Sequence, residues 1–70
     1  MSLSVYEIRF GAIQDNNREN HNLLRYKDEL KHLKADIGKS MDDDDSILRW
    51  IYRRVSQELS FITGSTVRVA

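Results

Sequence analysis

The chain has 70 residues, and its eleven Lys and Arg balance eleven Asp and Glu, so its formal net charge is zero. So short a chain buries only about 60% of the surface that its unfolded form exposes. It contains no Cys, which excludes disulfides, and its balanced charge argues against a general attraction to nucleic acid or anionic membranes. Stability must therefore come from well-packed helices or from an apolar face buried in an oligomer.

We expect residues 1–70 to form one small domain of a cytoplasmic protein. No run approaches the roughly 18 to 20 apolar residues of a membrane span, and the basic-then-apolar pattern of a signal peptide is missing from the N-terminus. The lack of Cys is compatible with a reducing compartment. The sequence thus predicts no association with a membrane.

The two ends of the chain show the period-two pattern of half-buried strands. In segment 3–10 the side chains that fall together on one side are Tyr6, Ile8 and Phe10. Gly11 follows this segment, and Gly64 precedes a shorter alternation over 65–69. We therefore predict two short terminal strands, 3–10 and 65–69.

Between the ends, the apolar spacing changes to three and four residues. The first series is Leu23, Tyr26, Leu30, Leu33 and Ile37, and the second is Leu48, Ile51, Val55, Leu59 and Ile62. This period predicts helices over about 17–37 and about 41–63, which a short link joins into an antiparallel hairpin. The predicted fold is α+β and mainly helical, with the helical hairpin flanked by two short terminal β-strands in the order β-α-α-β.

The second predicted helix has another apolar side besides this series. Ile47, Trp50 and Phe61 lie on it, in line with Arg54. Full burial of such side chains is worth roughly 1.5–3 kcal/mol each, so leaving all of them exposed is costly. Either this face packs under the terminal strands of its own chain, or it forms a homodimer or partner interface, in which Trp and Arg are favoured anchors.

Basic side chains accompany the Trp on the second predicted helix. Arg49, Arg53 and Arg54 surround Trp50, and cations beside an aromatic ring can bind nucleic acid through phosphate contacts and base stacking. The first predicted helix carries a separate basic group, Arg25, Lys27, Lys31 and Lys34, together with His32. Acidic residues are interspersed on both helices. The spacing of four residues from Arg25 to Glu29 and from Arg54 to Glu58 is more typical of a salt-bridged, exposed face than of a phosphate-binding one.

Four consecutive carboxylates precede the second predicted helix. They are Asp42, Asp43, Asp44 and Asp45. Ser40 and Asp43 fit a capping box, and the helix dipole favours negative charge in a first turn. The order of the residues does not fit a calcium loop. We interpret the run as a helix start, with an acidic contact for a basic partner as the alternative.

Segment 14–22 is polar throughout. Asn is a poor residue for helix interiors because its side chain competes for backbone hydrogen bonds. We therefore expect a solvated loop and a ragged first turn capped by Asn16 and Glu19, with a polar recognition loop as the alternative.

One short segment resembles a known family motif. Ser56-Gln57-Glu58-Leu59 is similar to the Ser-Gln-Glu-Leu-Asp motif of small sporulation-regulator phosphatases, which act on aspartyl-phosphorylated response regulators. Ser60 stands where that family has its functional Asp. The family also has no counterpart to the predicted terminal strands, so its activity is not carried over.

The sequence predicts no catalytic, cofactor or metal site and no small-molecule substrate. His21 and His32 are the only histidines, and there is no glycine-rich phosphate loop. The leading hypothesis is a noncatalytic protein–protein interaction or regulatory module, a homodimer that acts by binding another macromolecule. The small size of the chain and its lack of Cys suit a phage or mobile-element accessory protein. The alternative is a small nucleic-acid-binding protein that uses the basic and aromatic surface of the second helix.

Overall fold

The computed structural model describes residues 4–42 and 45–69, and it describes side chains as far as Ile62. It consists of three helices: α1 (Val5–Asn20), α2 (Leu23–Ser40) and α3 (Ser46–Val69). The central helix is α2, which packs along both neighbours, whereas α1 and α3 touch each other less. The Cα positions extend over 40 × 23 × 16 Å.

The predicted α+β fold is wrong, because the described residues form helices and no strand. The predicted strand 3–10 belongs to α1 from Val5 onward, and the predicted strand 65–69 continues α3. Tyr6, Phe10 and Ile13 are four and three residues apart, so the N-terminal segment also fits a helix. An isolated pair of strands is weak in water, whereas a helix satisfies its own backbone hydrogen bonds and buries Phe10 and Ile13 on α2 and α3.

The glycines do not end elements where the sequence predicted. Gly11 lies inside α1, Gly64 lies inside α3, and α2 continues past Gly38 to Ser40. A Cβ added at Gly11 would meet no atom within 4 Å beyond its chain neighbours and the backbone of its own helix. Glycine in a helix costs roughly 0.5–1 kcal/mol relative to alanine, which is too little to stop a helix that packs on a core.

The predicted helix over about 17–37 is divided between two helices. His21 adopts a left-handed conformation with φ 50°, and its N–H donates to the Asn17 carbonyl, which closes α1. The side chain of Asn22 then caps α2 by accepting from the Arg25 N–H at 3.1 Å. The predicted Asn16 and Glu19 cap is therefore wrong, and segment 14–22 is the end of α1 and a tight link rather than a loop.

The predicted capping box of the second helix is also wrong. Ser40 is the last residue of α2, and its hydroxyl lies 2.7 Å from that of Tyr6. Helix α3 begins at Ser46, where the Asp45 carbonyl accepts from the Arg49 N–H. Asp43, the other half of the box, lies outside the described residues.

The core lies where the three helices meet. It contains Phe10, Ile13, Tyr26, Leu30, Leu33, Ile37, Ile51, Val55 and Ile62. This confirms most of the two predicted apolar series, although Leu23 is half exposed and Leu48 and Leu59 are partly buried. The antiparallel pairing of the two long helices is right as well: Tyr26, near the start of α2, meets Glu58 in the second half of α3.

Two polar contacts tie the helices together at the edge of this core. The Tyr26 hydroxyl donates to Glu58 Oε2 at 2.5 Å, and burial, followed by this contact, raises the pKa of Tyr26. Arg9 on α1 donates to Asp36 on α2 at 2.7 Å, and this hydrogen bond lowers the pKa of the Asp36 carboxyl. These contacts therefore favour the neutral form of the Tyr26 phenol and the charged form of the Asp36 carboxyl.

Candidate functional site

The four predicted interface residues form one exposed strip, which we name the outer flank of α3: Ile47, Trp50, Arg54 and Phe61. Their apolar members are exposed by 58% (Ile47), 54% (Trp50) and 68% (Phe61). The interpretation that this face packs under terminal strands of the same chain is wrong, because those segments are helical and the flank stays open to solvent. The outer flank is an apolar surface that none of the described side chains covers.

Arg54 holds the centre of the outer flank in place. Its guanidinium carbon lies 5.0 Å from the centre of the Trp50 ring and 5.7 Å from that of Phe10. Both distances are within the range of cation–π attraction, which is worth roughly 0.5–1 kcal/mol at exposed sites. Arg54 therefore links α3 to α1 and orients the indole without burying it.

The structure brings two of the three predicted nucleic-acid contacts together in one groove. A shallow groove on α3 is lined by Trp50, Tyr52, Arg53, Arg54, Ser56, Gln57 and Ser60. It brings Arg53 and Arg54 beside Trp50, while Arg49 is exposed nearby on the same helix but does not line the groove. Because Arg54 already lies over two aromatic rings, Arg53 is the better placed of the two to reach a phosphate.

The predicted acidic contact is only partly described. Asp42 is exposed, Asp45 is half-buried at the start of α3, and Asp43 and Asp44 lie outside the described residues. The N–H of Asp45 donates to the Asp42 carbonyl at 3.1 Å. These two acids thus lie just before the N-terminus of α3, where the helix dipole favours negative charge.

A second groove, between α2 and α3, was missed at the sequence level. We name it the lysine groove: Lys27, Lys31 and Lys34 form one wall, and Ala35, Tyr52 and Leu59 lie beneath them. The three lysines are four and three residues apart, which places them on one side of a helix. That spacing is visible in the sequence, but treating all basic residues of this segment as one group with Arg25 concealed it.

Neither histidine belongs to a polar cluster of catalytic type. His21 forms the cap of α1, and the His32 ring lies 2.9 Å from the Asp28 carbonyl oxygen on its own helix. Among the described residues, no group of three or more His, Cys, Asp or Glu is arranged to hold a metal ion. In the same part of the chain, no helix has the length and apolar character needed to cross a bilayer.

The described residues therefore define a small three-helix bundle with an uncovered apolar flank on its longest helix. No protein-family model matches the chain, and the searches of curated proteins and of solved structures gave no match either.

Within the Ser56–Leu59 segment, Glu58 accepts the hydrogen bond of Tyr26 and so contributes to helix packing.

Proposed function

We propose that this chain is a noncatalytic protein–protein interaction module, which self-associates through the outer flank of α3 and acts by binding another macromolecule. The observation that supports it is the exposure of Ile47, Trp50 and Phe61, each more than half open to solvent on one side of α3. Aromatic side chains of this size are the usual anchors of protein interfaces.

The spacing along the outer flank favours a second copy as the occupant. Positions 47, 50, 54, 57 and 61 follow one another at three and four residues, which is the heptad spacing of a helix-pairing seam. In an antiparallel pair of α3 helices, Trp50 can face Phe61 of the other copy while Arg54 faces Gln57. This register puts aromatic against aromatic and avoids opposing two arginines.

The exposed area is consistent with a modest dimer. Fully buried aromatic side chains contribute roughly 150–250 Å² each, so two copies of a half-exposed Trp50 and Phe61 supply much of the apolar centre of an interface. Stable complexes bury about 1,200–2,000 Å² in total, so the residues around these aromatic side chains must supply the remainder. We therefore expect a weak dimer that dissociates on dilution.

Sedimentation equilibrium of the full chain and of Trp50→Ala tests this proposal. Truncating a central aromatic anchor commonly costs about 2 kcal/mol of association free energy, and the variant dimer lacks this anchor in both copies, so the dimer Kd should rise by a factor of at least about 30. Leu24→Ala is the matched control, because Leu24 is 83% exposed on α2 and lies outside the flank. A wild-type chain that stays monomeric at hundreds of micromolar, or equal effects of the two variants, would contradict self-association.

A nucleic-acid-binding function is the second candidate, and the groove that brings Arg53 beside Trp50 supports it. Binding of this kind neutralises phosphates, so its affinity for a single-stranded oligonucleotide should fall steeply with salt and on replacing Arg49 and Arg53 by Gln. If a fluorescent oligonucleotide is not bound even at low salt, this candidate is rejected.

A further inference from the structure

The charges of α2 are sorted between its two sides. Towards α1, the side chains of Glu29 and His32 line a groove with Arg9, and Asp36 bonds to the same arginine. Towards α3, the wall of the lysine groove is made of Lys27, Lys31 and Lys34. The zero net charge of the chain therefore conceals a basic strip along one edge of the bundle.

In the described part of the chain, no lysine of this strip forms an ion pair with a carboxylate. The ion pairs among the described residues use Arg9, Arg18, Arg25 and His32. Lys34 instead lies over the ring of Tyr52, with its Nζ 5.4 Å from the ring centre. None of the described residues that line the lysine groove is acidic. The positive charge is thus available to a partner.

The base of the groove is apolar and open along its length. Ala35 is exposed, while Tyr52 and Leu59 of α3 are half-buried. Gly38 lies at one end of the groove. A Cβ added at this position would lie 3.7 Å from the Tyr52 side chain, which is an ordinary van der Waals distance. From Lys27 to Gly38 the groove follows α2 for about 16 Å at the ordinary helical rise, which is about three turns.

From this combination we infer that the lysine groove binds an acidic amphipathic helix of a protein partner. Leucine-like side chains of that helix rest on Ala35, Tyr52 and Leu59, and its Asp or Glu side chains, spaced by four and three residues, meet Lys27, Lys31 and Lys34. The inference rests on the proposed function, since it names the partner that the interaction module binds in addition to its own copy.

The chemistry of the groove favours a helix over a nucleic acid. Base stacking needs an open aromatic face, but the Tyr52 ring is half-buried and covered by Lys34. Arg contacts phosphate with two hydrogen bonds at once, whereas Lys acts as a point charge, and the arginines of α3 lie outside this groove. The small, exposed side chain of Ala35 allows a partner backbone to approach closely.

The test uses the full isotope-labelled chain and a helix-stapled peptide of about 15 residues with Leu on one stripe and Glu beside it. We expect the amide signals of Ala35, Gly38 and Leu59, which line this groove and not the groove beside Trp50, to shift on titration. A peptide of the same composition in scrambled order should bind at least about tenfold more weakly, because it loses the apolar stripe. Equal binding of the two peptides would overturn the inference.

Two variants separate charge from shape. The double variant Lys27→Glu and Lys31→Glu should weaken peptide binding at least about tenfold. Lys39→Glu is the control, because it reverses a charge on the same helix outside the groove, and it should leave peptide binding unchanged. Ala35→Phe keeps the charge and fills the exposed base of the groove, so it should abolish the shifts. Circular dichroism checks that each variant folds. Binding unchanged by Ala35→Phe, or weakened equally by Lys39→Glu, would overturn the inference.

Two further measurements identify which proposal fails. A thymidine oligonucleotide of about the same length as the peptide should leave the amide signals of the lysine groove unshifted. If the oligonucleotide binds this groove more tightly than the peptide does, the partner of the groove is a nucleic acid and not a protein helix. The Trp50→Ala chain should still bind the peptide, because Trp50 does not line the lysine groove. If the wild-type chain dimerises but does not bind the peptide, the proposal for the lysine groove is rejected. If the wild-type chain binds the peptide but stays monomeric, the proposal of self-association is rejected.

Discussion

Two sides of the same helix, α3, carry similar residues in opposite environments. Ile51 and Val55 are 1% and 0% exposed against α2, whereas Ile47 is 58% exposed only one turn from Ile51. Hydrophobicity thus does not distinguish the two sides; their position relative to α2 does. The buried side already contributes its transfer free energy to folding, and the outer flank can contribute its own only when something covers it.

The largest expected contrast is between Ile51→Ala and Ile47→Ala. The first leaves a cavity in the core and should lower the free energy of unfolding by about 2–5 kcal/mol, whereas the second should change it by less than about 0.5 kcal/mol. Urea denaturation of dilute chain measures both. A chain of 70 residues has roughly 4–10 kcal/mol of stability, so Ile51→Ala can unfold much of it. Similar losses from both variants would show that Ile47 is buried within the monomer.

A smaller effect tests the polar contact on the buried side, between Tyr26 and Glu58. The folded chain favours the neutral phenol, since burial and Glu58 raise the pKa of Tyr26. The stability that this provides is complete below the unfolded pKa of about 10 and declines as the pH rises above it. The slope for this one proton is at most about 1.4 kcal/mol per pH unit.

Variants of this contact isolate its share of the alkaline loss. Tyr26→Phe should reduce the slope of stability against pH above pH 10, as measured by urea denaturation at a series of pH values. Glu58→Gln should reduce it less, because burial is the larger cause of the raised pKa and remains. A slope unchanged by Tyr26→Phe would assign the alkaline loss to other groups.

The smallest effect concerns an exposed contact, the ion pair of Arg9 and Asp36, whose side chains are 39% and 44% exposed. Its contribution to stability is present above the ordinary pKa of an Asp and is lost as the pH falls through the lowered value. Arg9→Gln should raise the pKa of Asp36 in a carboxyl NMR titration, with little change in the unfolding midpoint near neutral pH. Arg18→Gln, which removes the pairing with Asp15 within α1, should leave the Asp36 titration as it was.

The outcome for the fold shows which patterns decide structure at the sequence level. The two long apolar series are compatible only with helices, because each continues over four turns at helical spacing. Most of their members are buried in the structure. Segment 3–10 has two readings: Tyr6, Ile8 and Phe10 alternate, but Tyr6, Phe10 and Ile13 have helical spacing. The second reading is correct because α2 offers α1 a surface to pack on, which a short window of sequence does not reveal.

The candidate sites differ in the same way. The outer flank could be predicted, because its residues share one helix and their spacing alone sets them apart from the buried series. The lysine groove needs a tertiary fact: which side of α2 faces α3 and which faces α1. With α1 interpreted as a strand, nothing separated Lys27 and Lys31 from Arg25, which pairs with Glu29 instead.

The position of α3 also fixes how two bound molecules would be arranged. Tyr52 and Leu59 belong to the lysine groove, and each is two residues from an outer-flank aromatic, Trp50 or Phe61, which places them about 200° apart around the helix axis. One helix, about 10–12 Å across, therefore separates the two surfaces. Partners bound on both would be held side by side at a fixed spacing and angle, as on a rigid adaptor, because no flexible linker lies between their sites.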